Sequence, residues 1–162
     1  MISSFKRYLV EEEKTVYFTF GRMNPPTIGH EKLLQSLAKQ AGNNPYKIYL
    51  SNTQDSTKNP LPYKEKIKFT RKMFPRYARQ VIMDTSSRNI FDILTKLYDD
   101  GFKNVAMVVG SDRLREFNIL LNKYNGKKAR HGFYNFNKIN ALSAGGRDPD
   151  ADGAKGMSAS KR

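Results

Sequence analysis

The strongest constraint on this chain is the run Gly21-Arg22-Met23-Asn24-Pro25-Pro26-Thr27-Ile28-Gly29-His30, which sits between two apolar segments of different period. Before it, Val16-Tyr17-Phe18-Thr19-Phe20 reads as a buried strand. After it, Leu33, Leu34, Leu37, Ala38 and Ala41 recur at helical spacing across Glu31–Ala41. A small, turn-rich segment therefore joins a strand to a helix. In an α/β protein such a junction presents backbone N–H groups and the positive end of a helix to phosphate. His30 falls in the first turn of that helix, and Gly29 before it leaves room for a ligand to approach.

The rest of the chain repeats the alternation. Gly42-Asn43-Asn44-Pro45 reads as a turn and Tyr46–Leu50 as a second strand. Ser51–Pro62 is polar and proline-punctuated, hence a loop. Tyr63–Met73 reads as a helix ended by Phe74-Pro75, and Val81-Ile82-Met83 as a short third strand. Ile90, Ile93, Leu94 and Leu97 share one face of a helix over Asn89–Tyr98, with Gly101 as its stop. Val105–Val109 is the most apolar strand and is expected at the centre of the sheet. Arg113–Lys123 reads as helix and Gly132–Phe136 as a fifth strand. Short strands alternating with helices of about ten residues predict an α/β fold: a Rossmann-like, doubly wound, parallel five-stranded sheet with helices on both faces. Ligand is then expected beyond the carboxyl ends of the strands, where the strand order switches. The loops Gly21–His30, Ser51–Pro62 and Gly110–Asp112 all follow strands and are expected to converge there.

Three segments follow from this reading. Residues 1–14 form an N-terminal appendage, in which Phe5, Tyr8 and Leu9 share an apolar face ahead of Glu11-Glu12-Glu13. Residues 15–142 form the domain. Residues 143–162, rich in Gly, Ser, Ala and Asp, form a mobile tail. Within it, Arg147–Gly153 has the look of a calcium loop but lacks the flanking helices and the later glutamate.

Composition narrows the chemistry. With no cysteine, a disulfide scaffold and thiolate metal sites are excluded; having only His30 and His131 argues against a multi-histidine metal site, and a reducing, cytoplasmic setting is expected. No stretch approaches the ~20 apolar residues of a membrane span, and the first residues lack the apolar core of a secretion signal. The net charge of +14, from 29 Lys and Arg against 15 Asp and Glu, favours anionic partners. Lys58–Arg79 carries eight basic residues against Glu65 alone, and Arg113–Lys138 seven against Glu116 alone. Nucleic acid, a polyphosphate substrate and a plain solvated surface all fit that charge. Lys64, Lys68 and Arg71 are within range of phosphate if their helix opens on the site.

Two further motifs bear on nucleotide chemistry. Gly110-Ser111-Asp112 directly follows a strand; Gly110 allows close backbone approach, and Asp112 can accept from ribose hydroxyls or cap the next helix. Lys155-Gly156-Met157-Ser158-Ala159-Ser160-Lys161-Arg162 reads on its own as a disordered Ser/Lys tail and gains a phosphate-binding reading only from a family resemblance.

Thr27, Gly29 and His30 resemble the T/HxGH signature of the nucleotidyltransferase (cytidylyltransferase-like) superfamily, seen also as the HIGH motif of class I aminoacyl-tRNA synthetases. Gly21, Arg22, Asn24 and Pro25 resemble the G-R-F-x-P lead-in of adenylyltransferases of the nicotinamide-nucleotide type, with Met23 in place of Phe. Gly110 and Asp112 are similar to the family's G-x-D element, which contacts the nucleotide sugar. Ser158 and Ser160 fall on the first serine and the threonine of the I-S-S-T-x-x-R motif, itself similar to KMSKS. The motif's arginine would lie one position past Arg162, so either Arg162 substitutes or the sequence is the front of a longer protein. The chain also resembles small nucleotidyltransferases of tailed bacteriophages, including the leader Phe5-Lys6-Arg7-Tyr8-Leu9. A phage origin would place it in host cytoplasm.

The resemblance implies transfer of AMP or CMP from ATP or CTP to a phosphomonoester such as nicotinamide mononucleotide, with release of pyrophosphate. His30, Thr27 and Arg22 would be catalytic. Gly21, Asn24, Gly29, Gly110, Asp112, Ser158, Ser160 and Arg162 would bind the nucleotide, and Mg2+ would arrive on the triphosphate. A nucleic-acid-binding or phage-packaged accessory protein on an inactive fold is the alternative that the charge favours. A synthetase-like enzyme acting on RNA is disfavoured, because 162 residues leave no room for a tRNA-recognition domain.

Overall fold

The computed structural model describes residues 14–22, 28–51, 62–130 and 132–145. The strands are β1 (Thr15–Gly21), β2 (Tyr46–Leu50), β3 (Val81–Ile82), β4 (Asn104–Val109) and β5 (Lys138–Ser143). The helices are α1 (Ile28–Ala41), α2 (Tyr63–Met73), α3 (Ile90–Asp99) and α4 (Leu114–Lys123), with 3₁₀ segments at Pro75–Gln80 and Ser111–Arg113. All pairings are parallel, and the strand order is β3-β2-β1-β4-β5. This is the expected Rossmann-like α/β sheet. Its middle strand is β1, so the apolar β4 is displaced one place from the centre expected for it.

The period-2 pattern of the strands sends alternate residues to two cores. Val16, Phe18, Val105, Met107 and Ile139 pack under Ile93, Leu94 and Leu97 of α3 and Leu121 of α4. Ile48, Leu50, Val81 and Val108 pack under Leu33, Leu34 and Leu37 of α1 and Ile67 of α2. The sheet is thus covered on both faces: α1 and α2 on one, α3 and α4 on the other. Local signals set the helix ends. Asn89 Oδ1 accepts from the N–H groups of Phe91 and Asp92 at 2.9 and 3.0 Å, which satisfies two otherwise orphaned donors and makes Asn89 the cap rather than the first helical residue.

The fifth strand is the one element that the sequence misplaces. Gly132–Phe136 is no strand: Asn125 Oδ1 accepts from Phe136 N–H at 2.8 Å, and Gly126 N–H donates to the Tyr134 carbonyl at 2.7 Å. The segment thus spends its backbone groups on a loop while Tyr134 and Phe136 fill the core beside α3. These two rings, like those of Phe74 and Tyr77, are core residues outside strands. The edge strand is Lys138–Ser143, whose polar residues conceal it in the sequence.

Candidate functional site

Because β1, β2 and β4 are parallel, their carboxyl ends share one edge, and Gly21, Ser51 and Gly110 lie along it. The two neighbours of β1 behave differently there. Pairing with β2 continues to Gly21↔Leu50, and Ser51 N–H donates to the Gly21 carbonyl at 2.8 Å. Pairing with β4 ends earlier, at Phe18↔Met107. One step on, the strands are joined instead by the Thr19 hydroxyl, which donates to the Val108 carbonyl at 2.9 Å.

A crevice of about 180 Å³ opens where the two strands part. Thr19, Phe20, Gly21 and Arg22 line it from the β1 side, and Met107, Val108 and Val109 from β4. Arg113 and Phe117 close it from the α4 side. The chain leaves β1 toward α1 on one face and β4 toward α4 on the other, so this is the topological switch point at which α/β sheets bind ligands. A larger recess of about 450 Å³, lined in part by Thr15, Tyr17, Asn104 and Asn140, opens near the strand starts. It lies at the wrong end of a parallel sheet for the same role.

The crevice carries positive charge. Arg22 is exposed at its rim, and the Arg113 guanidinium lies 4.9 Å from the Phe117 ring centre while its Nε donates to Glu116 at 3.0 Å. Stacking on Phe117 and the paired donation of Nε and Nη2 to the Glu116 carboxylate hold Arg113 in one orientation. Among the described residues, no cluster of three or more His, Asp or Glu side chains could hold a metal ion, and no helix is long and apolar enough to cross a membrane.

Of the expected site residues, Gly21 and Arg22 line the crevice, and Gly110 and Asp112 follow β4 at the same edge. Asp112 is exposed within the 3₁₀ turn, while the cap position of α4 is Arg113, which makes no side-chain cap bond. Gly29 and His30 open α1, and His30 is buried at 2 % exposure in the inward stripe with Leu33, Leu34 and Leu37. It is not among the residues that line the crevice. Asn24, Thr27, Ser158, Ser160, Arg162 and His131 lie outside the described residues. Arg71, one of the three basic residues of α2 considered within reach of phosphate, donates to the Val81 carbonyl at 2.8 Å.

Two groups escape a reading of the sequence. Arg113 reads only as the start of a helix; the signal was a cation directly after a strand-end Gly-x-Asp. Lys66 is fully buried in the first turn of α2, on the inward stripe with Ile67 and Thr70. Between Lys64 and Lys68 it looks like one more solvated cation, and only the Tyr63-x-x-Lys66-Ile67-x-x-Thr70 spacing marks it as internal. Helix side chains lean toward the N-terminus, and the N-terminus of α2 faces the carboxyl edge of the sheet. A buried lysine nitrogen needs polar partners, so Lys66 belongs to the interior of the fold rather than to its basic surface.

The carboxyl edge is also braced beyond β3. Asp84 accepts from Ser86 and Ser87 hydroxyls at 2.6 and 2.9 Å and pairs with Lys96 of α3. Burial pushes its carboxyl up, but the Lys96 ammonium and the serine donors outweigh this and hold it well below the usual carboxylate range.

No curated protein matches the chain significantly by sequence. Residues 18–139 match the family model described as cytidylyltransferase-like, a span that holds the crevice, the start of α1 and Gly110–Asp112. A match over most of the sequence, on a sheet that opens where this fold binds its ligand, means that the chain belongs to the cytidylyltransferase-like family of nucleotidyltransferases.

Proposed function

We propose that this nucleotidyltransferase moves AMP, with CMP as the second choice, from a nucleoside triphosphate to a phosphomonoester, and that nicotinamide mononucleotide is the first acceptor to test. The observation that carries the reading is the arginine-flanked crevice between the parted ends of β1 and β4. An acceptor phosphate oxygen attacks the α-phosphorus, the bond to the bridging oxygen breaks, and pyrophosphate leaves. The attacking group is already an anion, so the protein supplies position and charge rather than a strong base.

In this reading Arg22 and Arg113 offset charge at the α- and β-phosphates, and Gly21 and Gly110 let the nucleotide approach the backbone. Asp112 accepts from the ribose. His30, in the first turn of α1, acts at the phosphates together with Thr27, and Asn24 and Gly29 bind the nucleotide. Ser158, Ser160 and Arg162 hold the departing pyrophosphate. Mg2+ belongs to the substrate, carried by the triphosphate.

Pyrophosphate release tests this directly, with ATP and CTP against nicotinamide mononucleotide, phosphopantetheine, flavin mononucleotide and polyol phosphates. Release with nicotinamide mononucleotide is the expected result. Release with another acceptor replaces the substrate and keeps the chemistry. Silence across the panel moves the reading to a binding protein on an inactive fold.

A further inference from the structure

The outward side of α2 is a row of like charges that its own stability does not explain. Lys64, Lys68 and Lys72 stand at i, i+4 and i+8, all exposed, and Arg76 and Arg79 continue the exposed charge along the 3₁₀ segment. Like charges at i and i+4 destabilise a helix. Lys64 also stands at the positive end of the helix, where a cation is disfavoured. The only acid on α2 is Glu65, and none of the ion-pair partners among the described residues is Lys64, Lys68 or Lys72. Beside the lysine row a second row runs from Glu65 to Phe69 and Met73, again four residues apart, and Phe69 and Met73 are 53 % and 56 % exposed. The inward stripe of the same helix is Lys66, Ile67 and Thr70, so the core takes up the opposite side and leaves Phe69 and Met73 about half exposed.

A polyanion relieves the repulsion, and an exposed ring beside the lysine row gives a base something to stack on. We propose that the outer face of α2, from Lys64 through Phe69 to Arg76, binds single-stranded nucleic acid. Phosphates lie along the lysine row and a base stacks on Phe69. A duplex keeps its bases stacked on each other and makes no use of the ring. An acidic protein satisfies the charge but not the stacking. The surface is separate from the crevice between β1 and β4, and this binding does not depend on the nucleotidyl transfer proposed above.

The test is fluorescence anisotropy of the full chain with a labelled oligothymidylate and with a duplex of equal length, across a salt series. Single-strand binding is expected to be the tighter, with a log–log salt slope of about −2 to −3, as for three or four phosphates. Lys72→Glu with Arg76→Glu is expected to weaken it at least tenfold and flatten the slope, with pyrophosphate release and circular dichroism unchanged. Phe69→Ala is expected to weaken single-strand binding about tenfold and leave the slope alone. Lys127→Glu with Lys128→Glu, on the other basic stretch, serves as the control. Equal or tighter duplex binding, no binding to either at low salt, or loss in the control but not in the α2 variant overturns the proposal. Phe69→Ala without effect on the single strand also overturns it, and leaves an acidic protein as the occupant to seek.

Discussion

The Thr19 hydroxyl donates to the Val108 carbonyl at 2.9 Å, one residue beyond the last β1–β4 pair, Phe18↔Met107. A side chain thus takes over where the backbone ladder stops. The bond ties the strands together at the mouth of the crevice while leaving the backbone of Phe20–Arg22 open to it. Both Thr19 and Val108 are buried, so the carbonyl has no water to turn to. Thr19→Val should therefore cost about 1–3 kcal/mol in chemical denaturation. Triphosphate affinity should fall as well, because the two walls of the crevice lose their tie. Calorimetry on the folded variant separates the second effect from the first.

Arg113 should act on binding more than on folding. Its guanidinium is held by Phe117 and Glu116 on the crevice wall. Arg113→Ala should raise the KM for the triphosphate about tenfold or more with a melting temperature near wild type, since exposed pairs such as Arg113–Glu116 contribute little to stability. Arg113→Lys should recover only part, because lysine loses the planar fork. Steady-state kinetics with both variants check this.

His30→Ala should lower kcat ~10²–10³-fold if His30 stabilises charge in the transition state. Its burial means that truncation also leaves a cavity, so a lower melting temperature is expected alongside. The informative comparison is kcat against stability. A variant that melts lower but keeps full turnover per folded molecule assigns His30 a packing role alone.

Gly132 cannot be replaced cheaply. Its φ is +119°, and a Cβ built there would lie 2.9 Å from Thr95 Cγ2 on α3. Gly132→Ala should destabilise by about 1–3 kcal/mol through backbone strain and the clash together. Adding Thr95→Ser removes the clashing methyl but not the strain, so the double variant should recover part of the loss. Urea titrations of the two single variants and the double variant measure the coupling.

The Asp84–Lys96 pair gives stability a pH dependence. Asp84's carboxyl is held below the usual range in the folded state, whereas in the unfolded chain it titrates near 3.9. Folding is therefore favoured by this group above that pH, and its contribution fades as pH falls through about 4 toward the folded value. Urea midpoints at pH 7 and pH 3 should differ less for Asp84→Asn than for wild type.

Most of the architecture was legible in order along the chain. Tyr63–Met73 forms the helix its spacing predicts, and Val16–Phe20, Tyr46–Leu50 and Val105–Val109 lie in strands, because repeating apolar positions declare which face must leave water. The break after β4 at Gly110–Asp112 was visible for the same reason, as the end of one period before the next begins. Strand order, the parting of β1 from β4 and the identity of β5 were not. Gly132–Phe136 has the stronger strand pattern, yet Asn125 and Gly126 claim its backbone, and Lys138–Ser143 takes the edge. Those outcomes are settled by partners far apart in sequence, and local periodicity carries no record of which partner wins. Arg113 and Lys66 show the same division: sequence supplies the charge, but only packing decides that one faces the crevice beside Phe117 and the other is enclosed beneath α2.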